Sequence, residues 1–124
     1  MQFISIRIIT DDVERLTAFY ERITGQSAER TGDVFAQFRA DGLLLAIGST
    51  RTVAMLEPGS VTPGSNRSVL VEFLVDDVDQ EFERLRADID EIVLEPTTMP
   101  WGNRSLLFRD PDGNLVNLFS RPAA

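Results

Sequence analysis

Residues 4–20, ISIRIITDDVERLTAFY, and residues 69–85, VLVEFLVDDVDQEFERL, decide the fold. Each is an alternating apolar strand that runs into DDV and then into an amphipathic helix, and Asp12 matches Asp77 at an offset of 65 residues. Self-similarity at a fixed spacing marks a duplicated structural unit. In the first copy Ile4, Ile6 and Ile8 share one strand face and Ser5 and Arg7 the other, as a period of two requires. In the second, Val69, Val71, Phe73 and Val75 share a face, with Leu70, Glu72 and Leu74 opposite. Asp11 and Asp76 are the expected N-caps, Asp12 and Asp77 suit the positive end of the helix dipole, and Gly25 is placed to stop the first helix. Val13, Leu16, Tyr20 and Ile23 form an apolar stripe, as do Val78, Phe82 and Leu85. The apolar strand faces are the natural surfaces for those stripes to cover.

Outward from these two stretches the chain again reads as strands. Residues 34–49, VFAQFRADGLLLAIGS, are two apolar runs around Ala40-Asp41-Gly42, and residues 105–120, SLLFRDPDGNLVNLFS, are two runs around Asp110-Pro111-Asp112-Gly113. Asp-Gly between such runs signals a hairpin. The PDG turn is expected to be structural, with Asp112 serving local backbone donors. The preceding segments, 26–33 and 91–100, each have room for one more strand. The fold class is therefore α+β: two duplicated βαβββ modules, at 1–50 and 67–121, expected to form a curved sheet around a cleft. Pro58-Gly59 and Pro63-Gly64 mark 51–66 as the connector, and 1–124 is expected to be one domain.

Composition narrows the chemistry. The 124 residues contain no Cys and no His, which excludes disulfides, thiol nucleophiles, iron–sulfur clusters and cysteine zinc sites. It also removes the commonest metal ligand and the commonest general base near neutral pH. All 12 basic residues are Arg, so Schiff-base lysine chemistry is excluded too. A net charge of −8 disfavours nucleic acid and anionic membrane as partners and attracts cationic small molecules. The N-terminus has no basic leader followed by an apolar core, and no run reaches the length of a membrane span, so a cytoplasmic location is expected.

DDVERLTAFYERITG at 11–25, VEFLVDDVDQEFERL at 71–85 and the closing FRDPDGNLVNLF at 108–119 together resemble the vicinal oxygen chelate superfamily, which contains glyoxalase I, extradiol dioxygenases and bleomycin-binding resistance proteins. The resemblance spans essentially the whole chain. It implies that four cleft positions would carry the His or Glu ligands of a metal in the catalytic members. Those positions are here Ser5, seven residues before Asp12; Leu70, its repeat counterpart; Ala46, four after Gly42; and Asn117, four after Gly113. None is an anchoring ligand for a divalent ion. The expectation is no metal and no cofactor.

Strand alternation places Ser5, Arg7, Leu44, Ala46, Leu70, Glu72, Leu74, Leu115, Asn117 and Phe119 on the cleft face. Arg7 and Glu72 are equivalent in the two repeats; either they pair with each other and hold the halves in register, or Arg7 grips a ligand carboxylate and Glu72 a ligand cation. Trp101, the sole Trp, lies on a Pro/Gly loop and offers a flat stacking surface, with Arg104 beside it for polar contact; it serves equally well as a cover for the core edge or a dimer interface. The ligand-binding candidates are thus Ser5, Arg7, Ala46, Leu70, Glu72, Trp101, Arg104, Asn117 and Phe119. The first functional expectation is a metal-independent protein that binds a small organic molecule, sequestering a drug or metabolite in the manner of antibiotic resistance proteins. A cofactor-free enzyme with Glu72 as base and Arg7 or Ser5 stabilising an oxyanion is the alternative, and a dimerising interaction module is the third. The missing His, Cys and Lys weigh against catalysis, and a homodimer is expected.

Overall fold

A computed structural model describes residues 1–54 and 56–122. Its contacts divide into two compact units, Met1–Ser65 and Asn66–Ala124. The first unit runs β1 (Ser5–Thr10), α1 (Val13–Thr24), β2 (Glu29–Thr31), β3 (Phe35–Ala40), β4 (Leu43–Ser49) and the single turn α2 (Arg51–Ala54). The second runs β5 (Leu70–Leu74), α3 (Val78–Leu85), a 3-10 turn at Arg86–Asp88, β6 (Ile92–Thr98), β7 (Arg104–Arg109) and β8 (Leu115–Ser120). The two sheets have the same plan. Strand order is β1-β4-β3-β2 in one and β5-β8-β7-β6 in the other, with the first strand parallel to its neighbour and the remaining pairs antiparallel.

Local chemistry explains the helix ends. The N-caps lie one residue later than expected: the Asp12 carboxylate accepts from the Arg15 N–H at 3.0 Å and that of Asp77 from the Gln80 N–H at 3.1 Å. Buried Thr10 is the reason in the first copy, because its hydroxyl accepts from the Asp12 N–H at 3.1 Å and closes the turn from strand to helix. Gly25, at φ 70°, ends α1 in the left-handed conformation that a side chain would strain. The β3–β4 hairpin turns through Asp41 and Gly42, at φ 44° and 83°, the paired positive angles of a tight turn matched to strand twist.

Leu16, Tyr20 and Ile23 of α1 pack with Ala36, Phe38 and Ile47 in the core of the first unit, the Tyr20 and Phe38 rings 6.5 Å apart. Val78, Phe82 and Leu85 join Leu106, Phe108, Val116 and Leu118 in the second. The strand face expected beneath each helix is only partly covered. Ile4 and Ile6 are 51% and 49% exposed and Val69 is 46% exposed. Topology supplies the cause: β1 and β5 are edge strands, while α1 packs on β3 and β4 and α3 on β6, β7 and β8. The 91–100 segment does form a strand, β6, and its Pro96 is tolerated because that strand is an edge with register irregularities around it. No helix among the described residues is long and apolar enough to cross a membrane.

Candidate functional site

In each unit the long helix packs on one sheet face, and the opposite face is the one that helix leaves open. The register of the first sheet places Arg7, Ala46 and Gln37 in one row across the open face, with Ser5, Leu44 and Arg39 in the next. Gly48 shows how the Arg7 stem lies: a Cβ added there would meet Arg7 Cδ at 3.2 Å and Thr52 Oγ1 at 2.8 Å. Ala46, 3% exposed, is likewise small and buried beside it. Ser5 and Arg7 are exposed. Glu29 on β2 takes two of the other polar groups of this face, accepting from Gln37 Nε2 at 2.9 Å and pairing with Arg39 Nε at 3.2 Å. The Arg39 hydrogen bond, then that of Gln37, holds the Glu29 carboxyl below its ordinary range, and Glu29 raises Arg39 in return. Among the described residues no such partner holds the Arg7 guanidinium.

The second sheet carries the counterpart. Glu72, Asn117 and Leu107 form its middle row, flanked by Leu70, Leu115 and Arg109 on one side and Leu74, Phe119 and Ser105 on the other. Parallel register places Glu72, rather than Leu70, opposite Asn117, and Asn117 Nδ2 donates to Glu72 Oε2 at 2.9 Å. Asn117 is 8% exposed, and its Oδ1 is buried with no hydrogen-bond partner among the described residues. Glu72 itself is exposed, between Leu70 at 46% and Leu74 at 54%. Phe119 and Leu115 are half-buried. Arg109 is engaged away from this centre, its Nη1 donating to the Gly113 carbonyl at 3.2 Å and its Nε 3.8 Å from Glu91 Oε2.

Four of the expected residues, Leu70, Glu72, Asn117 and Phe119, therefore share one face, as Ser5, Arg7 and Ala46 share the other unit's. Arg104 does not join them. It opens β7 in phase with Leu106 and Phe108, on the helix side, where its Nε and Nη2 donate to the Asp79 carboxylate of α3 at 2.8 and 2.9 Å. That bidentate pair lowers Asp79 and raises Arg104 from their ordinary values. Trp101 is 71% exposed, in a turn closed by the Met99 N–H donating to the Asn103 carbonyl at 2.7 Å. In this turn the buried Asp110 Oδ1 accepts from the N–H groups of Asp112 and Asn114, both at 2.9 Å. Asn114 extends the chain, donating to Asp110 Oδ2 at 2.8 Å and accepting from Asn66 Nδ2 at 3.1 Å. Asn66 Oδ1 in turn accepts from the N–H groups of Ser68 and Val69 at 3.3 Å, anchoring the approach to β5. Nothing in the sequence pattern signals this network, because it joins residues 48 apart.

Ser5, Ala46, Leu70 and Asn117 offer a hydroxyl, a methyl, an isobutyl group and an amide, with no charge among them. Divalent ions require carboxylate, imidazole or thiolate donors. Among the described residues no three His, Cys, Asp or Glu side chains cluster. The residues present do not fit the superfamily's metal.

The whole plan recurs in solved structures. A glyoxalase/bleomycin resistance protein/dioxygenase from Nocardioides is 25% identical, with 100% of this chain and 86% of that one covered at a TM-score of 0.78. A glyoxalase/bleomycin resistance protein/dioxygenase family enzyme from Burkholderia phytofirmans PsJN is 18% identical, covering 97% and 98% at a TM-score of 0.84. A glyoxalase-related enzyme from Fulvimarina pelagi is 19% identical, covering 98% and 88% at 0.82. The last two are likenesses of fold. None of the curated proteins compared with the chain matches it. The family model described as Glyoxalase/Bleomycin resistance protein/Dioxygenase superfamily matches residues 2–118, nearly the whole chain, and the chain belongs to that superfamily.

Proposed function

We propose that this chain acts as one domain over 1–124, a metal-independent protein that binds and sequesters a small organic drug or metabolite. The observation that carries the reading is the character of these faces: the ligand positions for a metal hold neutral side chains, while Glu72 stands as the one acid among leucines and Phe119 in the second unit and Arg7 lies with Ser5, Gln37 and Arg39 in the first. Apolar surface with a few polar groups is how small-molecule sites are built. A homodimer in the cytoplasm belongs to the same proposal.

Trp101 provides the test. A planar or cationic ligand stacking on the exposed indole quenches its fluorescence and raises the melting temperature, because a ligand at 100 times its Kd stabilises the native state by about 2.7 kcal/mol. Trp101→Ala is expected to weaken binding by ~1–3 kcal/mol with the fold intact, as its side chain is exposed. Ligand-screen hits that neither quench Trp101 nor respond to its replacement would remove Trp101 from the site. Turnover of a screened compound, lost in Glu72→Gln with affinity retained, would replace the binding reading with the enzyme reading.

A further inference from the structure

We propose that the open face of the second unit is selective for amphiphilic organic cations, an alkyl- or arylammonium group, with the Glu72 carboxylate as counter-ion and Asn117 as the residue that positions it. This rests on the binding reading and specifies its ligand class.

The argument begins with the middle row. Glu72 is the one acid of these three rows, with Leu70 and Leu74 two residues away on its own strand and Leu115 and Phe119 in the rows to either side. A neutral apolar ligand laid over these side chains would strip water from the carboxylate and give nothing back, and an anionic one would add repulsion. A ligand whose apolar body covers the leucines and whose N–H groups reach Glu72 satisfies both surfaces. The nearest arginine of this face, Arg109, does not neutralise the carboxylate, being held to the Gly113 carbonyl and beside Glu91.

Asn117 adds direction. Its Nδ2 donates to Glu72 Oε2 from the sheet, which fixes the carboxylate over the row, and Oε1 has no partner among the described residues. The other end of the same amide, Oδ1, is a buried acceptor with no donor among the described residues. Buried polar atoms are normally paired, and this one stands beside a carboxylate that also lacks a second donor. The exposed Glu72 carboxylate is the group a ligand reaches, and an ammonium brings it a positive charge and several N–H donors, where a hydroxyl brings one uncharged donor and a second acid brings repulsion. Net charge −8 favours arrival of a cation in the same sense.

Calorimetric titration with three matched probes tests this: phenethylammonium, 2-phenylethanol and phenylacetate. The ammonium is expected to bind at least ~10-fold more tightly than the alcohol, and phenylacetate more weakly than either. Glu72→Gln should bring the ammonium-to-alcohol ratio to about 1, weakening the ammonium and tightening the alcohol as the cost of desolvating the carboxylate is removed, whereas Glu57→Gln, an exposed acid of the connector, should leave the ratio intact. Asn117→Leu should lower the ratio part of the way, since the charge stays and only its position is freed. Methyl resonances of Leu70 and Leu74 in the unmutated protein locate the probe independently of any variant's folding. Equal binding of ammonium and alcohol, or a ratio that survives Glu72→Gln, overturns the cation site while leaving a binding protein. Failure of all three probes, with another compound found by the Trp101 screen, also overturns it and again spares the broader reading; a screen with no ligand at all overturns that reading as well.

Discussion

Four side chains decide whether this superfamily member can hold a metal, and each is the wrong chemical type. Ser5 and Leu70 stand on the edge strands, Ala46 is buried under its neighbours, and Asn117 spends its amide N–H on Glu72. Replacing carboxylate and imidazole donors by these groups removes the charge that offsets an ion's dehydration. Purified protein is therefore expected to carry no stoichiometric Zn, Fe, Mn or Ni, and a chelator should leave the melting temperature unchanged, since loss of a tight native-state ligand lowers it. About one ion per chain by elemental analysis would contradict this. The identity of these four positions is legible in the sequence. Their geometric relations are not, because a parallel register cannot be counted along one strand: Glu72, two residues from Leu70, is the residue that meets Asn117.

At the scale of elements, the same distinction separates what sequence shows from what it hides. Periodicity and turn chemistry depend on neighbours along the chain, so both helices, the Asp41-Gly42 hairpin and the strands through 105–120 can be read directly. Coverage depends on neighbours in space, so the exposure of Ile4, Ile6 and Val69 follows only once β1 and β5 are known to be edges. Arg104 is an intermediate case: parity with Leu106 and Phe108 already turns it towards α3, but only if β7 is known to begin there. The resulting Asp79–Arg104 tie fastens the start of α3 to β7. Its carboxyl is lowered in the folded state, chiefly by the Arg104 hydrogen bond. The sign follows from linkage: the contribution is complete above the unfolded Asp value, about 3.9, and is lost as pH falls through the lower folded value. Asp79→Asn should thus be less stable than the unmutated protein at neutral pH, and the gap should close on acidification. Because both partners are solvent-exposed, added salt should shrink the gap too. A gap in denaturation midpoint that stays constant from neutral to acid pH would assign the Asp79 effect to something other than this pair.

The whole molecule inherits an unresolved demand from two of its four edge strands. β1 carries SIRIIT and β5 carries LVEFL, neither blunted by the Lys or Pro that keep exposed strands from pairing. Around them Phe3, Ile4 and Ile6 are 68%, 51% and 49% exposed, and Leu70 and Leu74 are 46% and 54% exposed. Apolar side chains clustered on an unpaired edge favour association, and a stable dimer typically covers about 1,200–2,000 Å² in total. The proposed homodimer should therefore show twice the chain mass of 13.9 kDa by light scattering at micromolar concentration. Ile6→Lys supplies the discriminating variant. Half of that side chain is already exposed, so a charge can reach water without disrupting the Leu16, Tyr20 and Phe38 core, yet it would be stranded if a second copy covered the edge. Its expected effect is a return to the monomer mass with little change in helical circular dichroism. A monomer mass for the unmutated protein throughout the micromolar range would contradict the dimer, and a dimer undisturbed by Ile6→Lys would move its interface away from β1.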